Sequence, residues 1–362
     1  MSKEGNPLYI ILTLSLLMPL SVLATGGDSI KGSRYVSGRG AALGDAFIGI
    51  ADDVASGLFY NPAALAKVKH FTVEPINLQF QANSKLASGF GTDGYKITGL
   101  SGYKNQLLNS QRGASAALLP AFGFRGFGAG LLVQSRVLGF SDGTNIRYRS
   151  TYQLIPTVGG ALNLASGVLR IGYSLQWVNQ ATGDKTVSIN SSPLGWNQQL
   201  AQGSGFSHNL GMSVTLPFVY QPSFHLVARD VGGLKYKDSS LYGFSQNKTG
   251  TPPDEKMSLD AAMGFVTKIG KGFNLNSQFA YRDALDVSGL PKLAHLAIGL
   301  EFSLRDRFYV RGGFGSGYPS AGIGIKTRKS ELNLSWFSEE LSGAFRSERD
   351  IRYMLHYVLK AF

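Results

Sequence analysis

The chain has 362 residues with 46 Gly, no Cys and only 16% charged residues, yet it carries a formal net charge of +12. The lack of Cys excludes disulfide frameworks and thiolate chemistry, and so little charge, set against roughly 25% in a typical soluble domain, suits a β-rich chain with an apolar outer surface. Lys and Arg are scattered, with no run longer than Lys326-Thr327-Arg328-Lys329, so the positive balance describes no nucleic-acid face; loops beside anionic lipid head groups account for it.

Leu8 to Leu20 forms an apolar core behind Lys3, and Val22 and Ala24 are small or compact residues before a cut. The length is that of a signal peptide, too short for a comfortable bilayer span. Residues 1–24 are therefore expected to be removed on export. No other segment reaches the roughly 20 apolar residues of a transmembrane helix. A membrane location, if there is one, requires a barrel.

Ser29 to Lys69 differs from everything after it. Its alanines favour short helices and its glycines interrupt them. Asn61-Pro62 is a helix start, with Asn as the cap and Pro in the first turn. The segment lacks the apolar bulk to fold alone. Residues 25–69 are expected to be a plug that needs a container.

Residues 70–362 supply it. Leu169, Ile171, Tyr173, Leu175 and Trp177 alternate with Arg170, Gly172, Ser174 and Gln176, and Leu332, Leu334 and Trp336 with Glu331, Asn333 and Ser335. About fourteen such runs of roughly ten residues follow one another, the length of a tilted membrane-crossing strand. Their joins alternate too, tight near Phe124-Arg125, Ser166, Gln221, Gly270-Lys271, Arg305-Asp306 and Lys329, and mostly long between these. Short turns on one edge and long loops on the other build an outer-membrane barrel. The expected fold is all-β and transmembrane: an antiparallel outer-membrane β-barrel of about 14 strands with an N-terminal hatch in its lumen. Arg282, Glu301, Arg311 and Glu331 are expected to face that lumen. The chain ends on Phe362, which falls on the opposite parity from Ile351, Tyr353, Leu355, Tyr357 and Leu359.

The series Gly44-Asp45-Ala46 … Asn61-Pro62-Ala63, within residues 37–66, resembles the hatch of the FadL-type long-chain fatty-acid transporter family. It is also similar to the related PorV/PorQ-like barrels of secretion systems. The resemblance implies that the hatch fills the lumen, that its movement frees a route for hydrophobic ligands, and that they leave sideways through the wall. Gly44, Asp45, Ala46, Asn61, Pro62 and Ala63 would then be the gating residues. The long loops would offer an outer capture site, with Leu194, Trp196 and Leu200 in one and Tyr236, Leu241, Tyr242 and Phe244 in the other. In the PorV-like reading the same loops dock or hand over a secreted protein.

No catalytic set accompanies this. The five His (His70, His208, His225, His295, His356) are dispersed without metal-ligand spacing. Gly139-Phe140-Ser141-Asp142-Gly143 lacks the helix that a nucleophile elbow needs. The glycine run Gly312 to Gly317 sits between strands, where no helix N-terminus meets a phosphate. The expectation is a non-enzyme without cofactor or metal in a Gram-negative outer membrane. Its partners would be membrane lipid and a hydrophobic small molecule, with passive uptake as the function. A protein-docking barrel and a structural envelope barrel are the alternatives.

Overall fold

A computed structural model describes residues 34–87, 111–188, 190, 195–342 and 344–361. The expected signal peptide, most of the connection 81–112, the loop residue Leu194 and the terminal Phe362 lie outside the described residues.

Fourteen antiparallel strands close on themselves. β1 runs in two pieces, Thr72–Glu74 and Ile76–Asn83, and β2 in two, Arg112–Leu118 and Ala121–Phe124. Then come β3 (Phe127–Ser141), β4 (Asn145–Leu164), β5 (Leu169–Ser188), β6 (Ala201–Thr215), β7 (Ser223–Arg229), β8 (Ser258–Gly270) and β9 (Phe273–Tyr281). The circuit finishes with β10 (Leu296–Leu304), β11 (Phe308–Gly315), β12 (Tyr318–Lys326), β13 (Ser330–Glu340) and β14 (Arg349–Leu359). Each strand pairs with its sequence neighbours, and β14 closes on β1 through Leu355↔Phe80 and Tyr357↔Leu78. Closure satisfies the backbone without water, which is what hydrocarbon demands.

The alternation read from the sequence sorts the two faces. On β14, Tyr353, Leu355 and Tyr357 are exposed on the outside, while Arg352, Met354, His356 and Val358 are buried inside. Glu301 and Arg311 are directly opposed across β10 and β11 and face inward with Arg282 and Glu331, all four buried. The tight turns fall where expected. At Arg125-Gly126 both residues hold positive φ, the backbone of a two-residue hairpin.

The opposite edge differs from its expected form. The joins expected as loops over 137–150 and 179–205 are largely strand. β3 has 15 residues, and β4 and β5 have 20 each, about twice what crosses hydrocarbon. In the upper half of β4, Arg147, Arg149 and Thr151 alternate with Ile146, Tyr148 and Ser150, which are buried, Tyr148 against Trp196 of the next loop, so charged and hydroxyl side chains interrupt the apolar period while the backbone ladder continues. Periodicity alone therefore ends these strands too early.

Residues 34–69 lie inside the circuit. Helix α1 (Gly38–Ala42) is capped by Ser37, whose side chain accepts from Gly40 N. Helix α2 (Val54–Phe59) is capped by Asp53, which accepts from Ser56 N. A 3-10 turn, Pro62–Lys67, is capped by Asn61. The main core is shared between this inner segment and the wall: Phe47, Val54, Leu58 and Leu65 pack with Leu119, Leu132, Ile155 and Val178.

Candidate functional site

The Asn61-Pro62-Ala63 corner is fixed on several sides. Asn61 Oδ1 accepts from Ala63 N at 3.1 Å, and its Nδ2 donates to Ile48 O at 2.9 Å and to Ser213 Oγ on β6 at 3.1 Å. Wall glycines make the seat. A Cβ at Gly172 would overlap the Pro62 backbone, and one at Gly211 would lie 2.8 Å from Ala63 N. Gly44 and Asp45 both hold positive φ in the turn that ends α1. Arg282 Nη1 donates to Asp45 O at 3.0 Å and also pairs with the Asp45 carboxylate. Ala46 packs with Ala280 and Ala297. The structure thus brings Gly44, Asp45 and Ala46 against β9–β11, and Asn61, Pro62 and Ala63 against β5 and β6.

Charged contacts absent from the sequence reading tie the inner segment down further. Arg39 donates to both Glu301 oxygens at 3.3 Å, and Arg311 holds Glu301 Oε2 at 2.7 Å. Arg39 also pairs with Asp52 at 2.6 Å. Burial by itself would raise the Asp52 carboxyl; the Arg39 guanidinium outweighs it, with Lys326 and Lys67 adding, and holds the carboxyl well below the usual carboxylate range. Arg229 donates to Phe59 O and Tyr60 O at 3.1 and 3.0 Å and pairs with Asp260 at 2.8 Å. Arg34 reaches Asp230 at 2.8 Å and Glu255 at 3.0 Å, linking the inner segment to the loop after β7. Spacing in sequence gave no sign of these pairs, whose members lie up to 262 positions apart.

That loop folds back over the lumen. Ser204 and Lys237 exchange backbone bonds at 3.0 and 2.8 Å, as do Leu234 and Glu255 at 2.8 and 2.9 Å. Leu200 and Tyr236, expected at a capture surface, are buried beneath it; Tyr236 donates to Glu255 at 2.7 Å. Trp196 meets the Tyr148 ring edge-on, and Phe244 stacks on Tyr152. Leu241 and Tyr242 are the exposed pair, 48% and 60% accessible. Of the six expected capture residues that are described, Leu200 and Tyr236 are buried and Leu241 and Tyr242 exposed, with the Tyr242 and Phe244 rings in contact; Leu194 lies outside the described residues.

Two cavities lie on either side of the barrel wall. One, of about 460 Å³, lies between the inner segment and the covering loop. The other, of about 550 Å³, is a depression in the outer wall bounded by Pro75, Pro120, Phe122, Leu131, Pro156 and Trp177. It marks a transverse fault. Glu74 pairs with Ala121, Ala121 with Gly130, and Leu131 with Pro156, so the three prolines fall on one line across β1, β2 and β4. Proline has no N–H to give the ladder. Between β4 and β5 the pairing skips from Leu154↔Asn179 to Thr157↔Gln176, and Asn179 Nδ2 binds the Leu154 and Trp177 carbonyls, each at 3.1 Å. Directly inside the fault stand Leu119, Leu132, Ile155 and Val178, all fully buried, with α2 against them: a Cβ at Gly123 would lie 2.6 Å from Val54 Cγ2.

These features define a class: a closed fourteen-stranded barrel of the outer-membrane type, its interior occupied by its own N-terminal segment. Comparison with solved structures finds the same architecture. A mutant of the TodX monoaromatic hydrocarbon channel matches with TM-score 0.52 and 11% identity, over 90% of this chain and 98% of that one. The Pseudomonas putida toluene transporter TodX matches with TM-score 0.50 and 10% identity, over 90% and 96%. A Pseudomonas aeruginosa FadL homologue covers 91% of this chain and 98% of its own at TM-score 0.44 and 10% identity. At such identities the likeness is one of fold. No family model matches the chain, and no curated protein matches it in sequence. Among the described residues no group of three or more His, Cys, Asp or Glu could hold a metal.

Proposed function

We propose that this protein is a passive channel for hydrophobic compounds across the outer membrane, exported by residues 1–24. Residues 25–69 act as a hatch and residues 70–362 as the barrel. Molecules enter beneath the outer loops, pass the hatch, and leave sideways into the membrane through the proline fault. The observation that carries the reading is the fault itself. It is a line of three prolines with pairing skipped between β4 and β5, an apolar depression outside, a buried apolar row inside, and α2 against it. A route for polar solutes would have no use for an exit into hydrocarbon. The neighbours in fold include a monoaromatic hydrocarbon channel and a toluene transporter, which supports a ligand of that general character.

A reversible tether tests it. The chain has no Cys, so Val54→Cys with Gly123→Cys introduces the only thiols, with Cβ atoms within disulfide reach. In proteoliposomes, uptake of a hydrophobic fluorophore should fall on oxidation and return on reduction. Equal flux in both states would remove the hatch and the fault from the route and favour the docking alternative.

A further inference from the structure

The inner cavity is less apolar than a route for hydrocarbons requires. One wall is an ordered ladder of neutral hydrogen-bonding side chains on β3, β4 and β5. Gln134 pairs in register with Gln153 and Gln153 with Gln180; one step outward, Thr151 pairs with Thr182. All five line the cavity. Gln153 Nε2 donates to Gln180 Oε1 at 2.6 Å, and the two threonine hydroxyls lie 3.0 Å apart. Among the described residues, the Gln134 amide, Gln153 Oε1 and Gln180 Nε2 have no protein partner, so donors and acceptors alternate toward the open space. Across the lumen Val36, Ala41, Ala297, Phe337 and Leu341 supply apolar surface among polar neighbours such as Ser320, Ser338 and Glu339.

Charge does not decide the ligand here. Five arginines line the cavity, but carboxylates hold four of them: Arg34 with Glu255, Arg149 with Asp184, Arg282 with Asp45, and Arg352 with Glu339. Asp230, Asp260 and Asp350 stand behind as second partners. A site built to hold an anion would leave guanidinium groups to meet it. The fifth, Arg136, opposes Thr151 in register and is not free either.

We propose that this cavity binds an amphiphile whose head is uncharged and rich in hydroxyl or amide groups, the head on the Gln–Thr ladder and the chain against the apolar side chains opposite. This rests on the uptake reading and names its substrate class. Neutral amide and hydroxyl groups exchange hydrogen bonds with such a head at little desolvation cost, whereas a carboxylate or ammonium would enter without a counter-charge.

The test is competitive native mass spectrometry on the full-length barrel held in amphipol, because glycosidic detergents would occupy the site. The probes are decyl glucoside, decanoate and decylammonium in equal amount, below micelle formation. The expected result is a glucoside adduct about tenfold above either ion, falling about tenfold in Gln153→Leu/Gln180→Leu, as the loss of one to two neutral hydrogen bonds predicts. Thr151→Val/Thr182→Val is the second variant, and the heat-dependent gel shift of a closed barrel verifies folding of both. Preference for decanoate would overturn the proposal and assign the head to the guanidinium groups that line the cavity. Equal adducts of all three, unchanged in both folded variants, would overturn it as well and leave a site that reads only the chain. Flux through the oxidised and reduced tether is measured separately, so a failed head preference with intact gated flux is distinct from a failed uptake reading.

Discussion

Replacing Asn61 by Ala removes three hydrogen bonds at once: the cap to Ala63 N and the two donations to Ile48 O and Ser213 Oγ. All the partners are buried, so part of the loss is the desolvation of groups left unpaired. A lost cap costs roughly 0.5–2 kcal/mol and a buried unpaired acceptor roughly 1–3 kcal/mol. Sharing of strain among neighbours makes roughly 2–4 kcal/mol a fair total, or about 30- to 900-fold in the opening equilibrium of the inner segment. The barrel ladder does not pass through Asn61, so the wall should stay closed. Hydrogen exchange resolved to peptides measures both at once. Amides of residues 34–69 should exchange faster by that factor while those of β8–β14 keep their protection. Asn61→Ser restores the cap alone and should recover about 1 kcal/mol. Unchanged exchange over 34–69 in Asn61→Ala would refute the claim that this corner anchors the segment. Loss of protection across the whole barrel would refute the claim that the two parts open separately.

Gly172→Leu places a side chain where Pro62 lies, so the barrel should close with the inner segment displaced; single-channel recording would then show a conductance absent from the parent. Glu301→Gln leaves Arg39 and Arg311 buried with their shared carboxylate gone, a loss of about 3–5 kcal/mol that should appear as proteolytic cleavage within 34–69. Asp52 sets the acid limit of this seat. Its carboxyl is held below its unfolded value, so its contribution is complete above about pH 4 and is lost as pH falls through the depressed folded value. Between pH 5 and 8, hydrogen exchange over 34–69 corrected for the intrinsic rate should change equally with pH in the parent and in Asp52→Asn, and on stronger acidification the parent should lose more protection than the variant. In the covering loop, Tyr242→Asp should lower uptake at limiting substrate without changing the thermal transition, whereas Leu200→Ala, in a fully buried position, should destabilise the loop by about 2–5 kcal/mol.

The membrane-crossing part of the fold was legible because lipid on one face and a packed lumen on the other write a two-residue period into Leu169–Trp177 and Leu332–Trp336. The upper halves of β3–β5 are hidden because charged and hydroxyl side chains interrupt the apolar period there, so that Arg149 and Thr182 read as loop. Asn61-Pro62 announced a capped turn, and the structure caps it as the residues suggest. Its seat could not be read, since the seat is made of glycines at 172 and 211, more than a hundred positions away. The apolar residues of the long loops looked alike in sequence. Burial separates them, with Leu200 and Tyr236 beneath the fold-back and Leu241 and Tyr242 on top. The three prolines were visible one at a time, but only strand register places Pro75, Pro120 and Pro156 on one line.

The glycine seats bear on the order of assembly. The inner wall at 172, 211 and 123 follows the contour of Pro62, Ala63 and Val54, leaving no room for even a methyl group. The mouth above is crossed by the loop that pairs at Ser204 and Lys237. A finished cylinder of this kind offers its contents no way in from above. So close a fit is the one expected if residues 34–69 are enclosed while the sheet is still open. The N-terminal segment is then the mould around which the wall sets. A chain beginning at residue 70 should stall as an open sheet, and supplying the missing segment after synthesis should not rescue it.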